Sequence, residues 1–136
     1  MKNELGKDFT KFEMNQPADR NSISEVESEL HVVLPDDYVR FMQQFNGGEG
    51  PVGNENYLSL WRIEDLLPLN QAYEVEEFAP GLLLFASNGS DTAYGFDTTV
   101  ETKPIVKIPF IGMSHTSKTL YANHFNEFLS LIALKC

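Results

Sequence analysis

The chain has 136 residues, 42% of them hydrophobic and 12% aromatic, which is enough to build a packed core and too apolar for a disordered tail. Ten Lys and Arg stand against twenty Asp and Glu, and the formal net charge of −10 repels phosphate backbones and anionic lipid heads, which excludes nucleic acid and membrane surfaces as natural partners. The same field speeds encounter with a basic protein, the one partner class that composition favours.

The length matches one domain over 1–136, with 1–21 as an N-terminal arm or short helix carrying Leu5, Phe9, Phe12 and Met14 among charges. The only cysteine is Cys136, so no intrachain disulfide can form. MKNELGKDFTKFEM lacks the continuous apolar run of a secretory leader, and no stretch approaches the ~20 apolar residues that span a bilayer. A cytoplasmic location is the expectation.

Ser22-Ile23-Ser24-Glu25 matches a capping box, so a helix is predicted from about Ile23. It has Ile23, Val26 and Leu30 on its apolar side, and Glu25, Glu27, Ser28 and Glu29 on its wet side. Pro35 separates it from a second helix of about three turns, with Asp36 and Asp37 at the positive end and Asn46-Gly47-Gly48 supplying the left-handed stop. Leu34, Tyr38, Phe41, Met42 and Phe45 form the apolar stripe of this second helix. Gly47 to Gly53 reads as a flexible loop. It is no phosphate cradle, because its glycines follow a helix and no Lys-Ser/Thr comes after them.

Asn56 to Trp61 alternates like a half-buried strand, and Ile63 to Leu67 starts a short helix or turn before Pro68. Asn70 to Pro80 is an acidic loop or short helix. Leu82 to Ala86 is wholly apolar, a central strand covered on both faces, and the Ser87 to Asp91 turn pairs it with Thr92 to Asp97 in a hairpin. Pro104 and Pro109 bound a strand at Ile105 to Ile108, in positions suited to strand ends or a sheet edge. Met113 to Lys118 is an exposed loop leading to a last helix with Phe125, Phe128, Leu129, Ile132 and Ala133 on one face and Asn123 as its cap. Three to five antiparallel strands with flanking helices define an α+β fold.

No pattern marks catalysis. There is no G-x-S-x-G elbow, and His31, His115 and His124 carry neither H-E-x-x-H nor paired-cysteine spacing, so neither a metal nor a cofactor is expected. His31 reads as structural, and His115 and His124 as ordinary surface groups.

One constellation is specific: Ile23-x-x-Val26-Glu27, Leu34-Pro35-x-x-Tyr38-x-x-Phe41, Asn46-Gly47-Gly48, an apolar strand, then Gly89-Ser90-Asp91 and Tyr94-x-Phe96-Asp97. From about Ser22 to the last helix this order resembles the SUKH superfamily, which includes the yeast cell-wall-assembly regulator domain and many bacterial immunity proteins. The resemblance implies an α+β fold with a mainly antiparallel sheet flanked by helices. It also implies binding without chemistry. Bacterial members are cytosolic antidotes that block a cognate polymorphic toxin, often a nuclease or nucleic-acid deaminase, whereas eukaryotic relatives act as regulators or scaffolds. The signature residues Leu34, Pro35, Tyr38, Phe41, Asn46, Gly47, Gly48, Gly89 and Asp97 are fold-determining on this reading. The partner-facing candidates are acidic or aromatic: Glu49 and Glu55 in the glycine loop, Glu74, Glu76 and Glu77, Asp91 in the hairpin turn, and Tyr57 and Tyr73 as aromatic anchors for a basic toxin.

Overall fold

The computed structural model describes residues 9–53 and 56–133. Among them seven strands form one antiparallel sheet in simple chain order: β1 (Glu13–Met14), β2 (Gly48–Val52), β3 (Asn56–Leu60), β4 (Leu82–Ser87), β5 (Thr92–Asp97), β6 (Ile105–Pro109) and β7 (Thr119–Ala122). Five helices accompany it: α1 (Arg20–Leu30), α2 (Asp36–Gln44), α3 (Leu66–Ala72), α4 (Val75–Phe78) and α5 (Phe125–Ile132), with a 3₁₀ turn at Ile63–Asp65. The fold is α+β, with more strands than the sequence announces because β1, β2 and β7 carry no alternating pattern. No helix among the described residues is long and apolar enough to cross a membrane.

Helix α1 starts earlier than its capping box. Asp19 is the N-cap and its carboxylate accepts the Asn21 amide at 2.8 Å, so Ser22 already lies inside the helix. Glu27 is not simply wet either, because its Oε2 accepts the Leu34 amide at 2.8 Å and ties the inter-helix turn to α1. In α2, Pro35 is the N-cap itself, and Asp36 and Asp37 occupy the first turn at the positive pole. The helix ends on Phe45 in an extended conformation, and the left-handed residue comes two positions later at Gly47 (φ 79°). The Asn46-Gly47-Gly48 run therefore starts a strand; it does not stop the helix.

The expected glycine-rich loop is instead strand β2, and its glycines serve a close approach. A Cβ on Gly48 would lie 2.5 Å from the Glu13 carbonyl oxygen and 2.6 Å from the Phe12 ring, and one on Gly50 would lie 2.9 Å from the Lys11 oxygen. Only bare backbone lets the N-terminal arm pair here. The arm is part of the core: Phe9 and Phe12 are buried and packed edge to face at 5.6 Å.

Strand β4 is buried along all six residues, as its apolar run requires. Strand β3 pairs with its C-terminal end alone, at Ser59↔Ser87 and Leu60↔Ala86. Beyond that pairing the Trp61 amide donates to the Phe85 oxygen (3.0 Å), and the Asn70 side chain takes up Leu84, donating to its oxygen (2.9 Å) and accepting its amide (2.8 Å). Asn70 lies on α3, which runs through Pro68 instead of ending before it. Pro68 is the third helical residue, where a backbone N–H has no intrahelical partner to lose.

The core centres on rings from both layers. Phe85 (β4) and Phe96 (β5) stack at 4.4 Å, and Tyr38 of α2 packs on Phe85, Phe96 and Phe125 with centroids 5.1 to 5.6 Å apart. Val39 is buried as well, whereas Phe41 and Phe45 are only half-buried, so the stripe on α2 is rotated from the one the spacing suggests. Strand β6 is interior to the sheet, with Pro109 at its end. Met113 to Lys118 is a loop as expected, although Met113 itself is buried, and β7 follows it before α5, a strand the sequence does not announce. Helix α5 is capped by His124 in extended conformation, with no side-chain cap from Asn123. Two carboxylates supply its polar start: Glu127 accepts the Asn123 amide and Asp37 of α2 accepts the Asn126 amide.

Candidate protein-binding surfaces

Five of the eight partner-facing candidates line two separate grooves, Glu49 and Tyr73 the first and Glu74, Glu76 and Glu77 the second. The first, about 760 Å³, opens between the β1–β2 edge, the start of α3 and the hairpin turn, and is lined by Glu13, Glu49, Trp61, Arg62, Tyr73 and Phe110 among others. Its wall is an aromatic file in which Tyr73 lies nearly parallel to Trp61 at 6.2 Å and against Phe110 at 4.6 Å. Tyr73 is 41% exposed while Trp61 is buried at 8%, so the tryptophan stiffens the wall and the tyrosine presents it.

Glu13 and Glu49 sit directly opposite each other in the β1–β2 register, a like-charge pair that disfavours the strand pairing it belongs to. The Tyr57 hydroxyl donates to Glu49 Oε2 at 2.6 Å. That hydrogen bond, followed by partial desolvation and the nearby Glu49 and Glu13 charges, pushes the Tyr57 pKa up. Its ring rests on Gly89, where a Cβ would come 2.7 Å from Cδ2 and where φ is 82°. Tyr57 is 39% exposed and held at both ends, by Glu49 at its hydroxyl and by Gly89 at its ring.

The second groove, about 870 Å³, lies beside α3 and α4 and reaches the end of α1 and the turn between β5 and β6. Glu74, Glu76 and Glu77 line it together with Glu29. Its apolar lining includes the half-buried Leu30, Val32 and Leu67, while Val33 stands 73% exposed. Sequence reasoning missed His31, Val33 and Lys103 here and Arg62 and Phe110 in the first groove; the run His31-Val32-Val33, apolar yet outside either helical stripe, is the signal that could have found one side.

Two described candidates line neither groove: Tyr57, which reaches the first only through its bond to Glu49, and Asp91. Asp91 is held within its own turn, accepting from Asn88 Nδ2 (3.3 Å) and Thr92 Oγ1 (3.0 Å); these bonds, Asn88 first, hold its carboxyl below the usual range. Glu55 lies outside the described residues.

The signature residues do structural work. Asn46 is buried; its Oδ1 accepts the Ile63 amide and its Nδ2 donates to Glu64, both at 2.8 Å, while its backbone groups bond the Asn15 side chain and the Gln16 oxygen. Asp97, 3% exposed, accepts from Lys118 Nζ at 2.7 Å and from the Thr99 amide and hydroxyl. Burial opposes its charge, but the Lys118 hydrogen bond, the Thr99 bonds and the Lys118 charge outweigh that and hold the carboxyl below its ordinary value. Lys118 continues to His115 Nδ1 (3.0 Å), and His115 Nε2 meets the Pro80 oxygen (2.6 Å), so His115 is a strut between loops and not a plain surface group. His31 and His124 are exposed caps of α1 and α5. Among the described residues no group of three or more His, Cys, Asp or Glu side chains is arranged to hold a metal ion.

A seven-stranded meander with helices packed on it, a buried Asn-Gly-Gly turn leading into β2 and two grooves with acidic linings define an α+β protein. The SMI1/KNR4 family model (SUKH-1) matches residues 17–131, and the chain belongs to that family. No curated protein matches the chain.

Proposed function

We propose that this protein is a non-enzymatic, cytoplasmic immunity-type binding protein, one SUKH domain over 1–136, that captures a basic toxin such as a nuclease or deaminase and blocks its active cleft by contact. The observation that carries the reading is the unneutralised charge. Among the described residues Lys118–Asp97 is the one ion pair, so although Arg62 lines the first groove and Lys103 the second, no carboxylate of either lining is within ion-pair distance of a described Lys or Arg. A partner with Arg and Lys around a nucleic-acid cleft supplies the missing charges, and bidentate Arg pairs give both rate and register.

The test is capture by the tagged chain from its host lysate at low and high salt, followed by co-expression with the retained protein. Salt-sensitive retention of a basic protein whose toxicity the chain suppresses supports the reading. A retained endogenous partner with no protective effect replaces it with a regulatory or scaffold role.

A further inference from the structure

Three non-glycine residues among those described have left-handed backbone: His31 (φ 57°), Glu74 (φ 55°) and Lys103 (φ 52°). They come from three distant points of the chain, the end of α1, the joint between α3 and α4, and the turn between β5 and β6, yet all three line the second groove. An L side chain is disfavoured in this conformation and glycine is not. The same groove shows the alternative, since Gly81 lines it at φ 92°. Side chains kept where glycine would relax the backbone mark a surface held for something other than stability.

The chemistry of the groove says what it holds. Val33, 73% exposed, continues the apolar strip of Leu30 and Val32, and Glu29, Glu74, Glu76 and Glu77 surround it with Lys103 as the one Lys or Arg in the lining. The first groove is less suited: it sets three carboxylates, Glu13, Glu49 and Asp65, against one cation where the second sets four, and Glu49 is already bonded to Tyr57. We propose that the groove beside α3 and α4 docks a basic amphipathic segment of a protein partner, apolar side chains on Val33 and its neighbours and Lys or Arg on the glutamate rim. This rests on the reading of the partner as a basic protein and adds the face and the binding chemistry.

The probe is a synthetic amphipathic peptide of about 14 residues made of leucine and lysine, long enough to form a helix on a surface, with a leucine and glutamate version as control. It is titrated at low salt into the isotope-labelled full chain while amide shifts are followed. The expected result is a saturable response centred on residues 30–33, 74–77 and 103, given by the lysine peptide alone and weakened about tenfold by Val33→Asp or by Glu74→Lys with Glu76→Lys and Glu77→Lys. The combined variant His31→Gly, Glu74→Gly and Lys103→Gly is expected to bind the peptide more weakly while its melting midpoint rises by about 4 °C or more.

A response centred on Trp61, Tyr73 and Phe110, an equal response to the glutamate peptide, or sedimentation showing the groove closed by a second copy of the chain overturns the proposal. Capture from lysate with Val33→Asp separates the two levels. A basic partner held as well by this variant as by the unaltered chain removes the groove and leaves the function standing, whereas failure of the unaltered chain to retain any basic protein removes the function.

Discussion

Tyr38 is fully buried among Phe85, Phe96 and Phe125, and its hydroxyl has no hydrogen-bond partner among the described residues. An unsatisfied buried hydroxyl costs about 1–3 kcal/mol in lost hydration, while deleting it leaves a void of one atom that costs roughly 0.5 kcal/mol in contacts. Tyr38→Phe is therefore expected to stabilise the fold by about 1–2 kcal/mol at neutral pH, or roughly 3–6 °C in melting midpoint. The second signature is pH. Burial pushes the Tyr38 pKa far above the ordinary value of 10.0, so above pH 10 the unfolded chain loses a proton that the folded chain keeps. Stability then falls with rising pH by about 1.4 kcal/mol per unit from this residue, and the phenylalanine variant lacks that slope. Urea unfolding of both proteins at pH 7 and pH 11 reads the two effects; the advantage of the variant is expected to grow by about 1.4 kcal/mol between them. A variant less stable by about 1 kcal/mol at pH 7 would show that the hydroxyl is hydrogen-bonded, and parallel pH dependence would show that the ring is not sealed from solvent.

Gly47 and Gly112 share φ 79°, but a Cβ on Gly47 would lie 2.3 Å from the Leu60 oxygen while one on Gly112 meets nothing within 4 Å. Alanine at Gly112 is expected to cost about 1 kcal/mol and at Gly47 about 3 kcal/mol or more by thermal unfolding, and equal losses would mean that backbone strain alone is at work. Lys118→Met leaves the buried Asp97 carboxylate without its cation and is expected to cost about 1–2 kcal/mol, a figure discounted because Lys118 is partly exposed. Since the folded pKa of Asp97 is depressed, its contribution is present above the ordinary carboxylate value and lost as pH falls through the folded value, so an acid titration should show the variant and the parent converging at low pH. Phe41→Ala is expected to cost about 2–3 kcal/mol and Phe85→Ala about 3–5 kcal/mol, the order set by half and full burial and checked by denaturant midpoints.

What local pattern encodes was legible. Leu82 to Ala86 announces a strand buried on both faces because nothing polar interrupts it, and Phe125 to Ile132 announces a helix face by its spacing, as the structure has them. Residues whose role is set by a distant neighbour were not. Gly48 and Gly50 look like loop residues until Lys11 to Glu13 lies against them, and that arm shows no strand pattern because only two of its residues pair. Asn70 reads as polar cover, yet its amide takes up Leu84 on the open edge of β4, a role created by the shortness of the β3 pairing.

The surfaces were the least legible part for the same reason carried further. Glu49 and Glu74 are both acidic and exposed, and their sequence neighbourhoods give no ground for separating them. The fold separates them by bonding: Tyr57 holds Glu49 beside a like charge on Glu13, whereas Glu74 is set by a left-handed backbone on the rim of an apolar strip. Left-handed φ is invisible in the letters Glu and Lys and only weakly signalled by His, so the convergence of residues 31, 74 and 103 exists only in three dimensions. A net charge of −10 favours a basic partner without giving a place for it; in the docking proposal that place is the groove lined by exposed Val33 and four glutamates, because desolvation by an apolar anchor is what turns exposed charge pairs, weak in water, into specific ones.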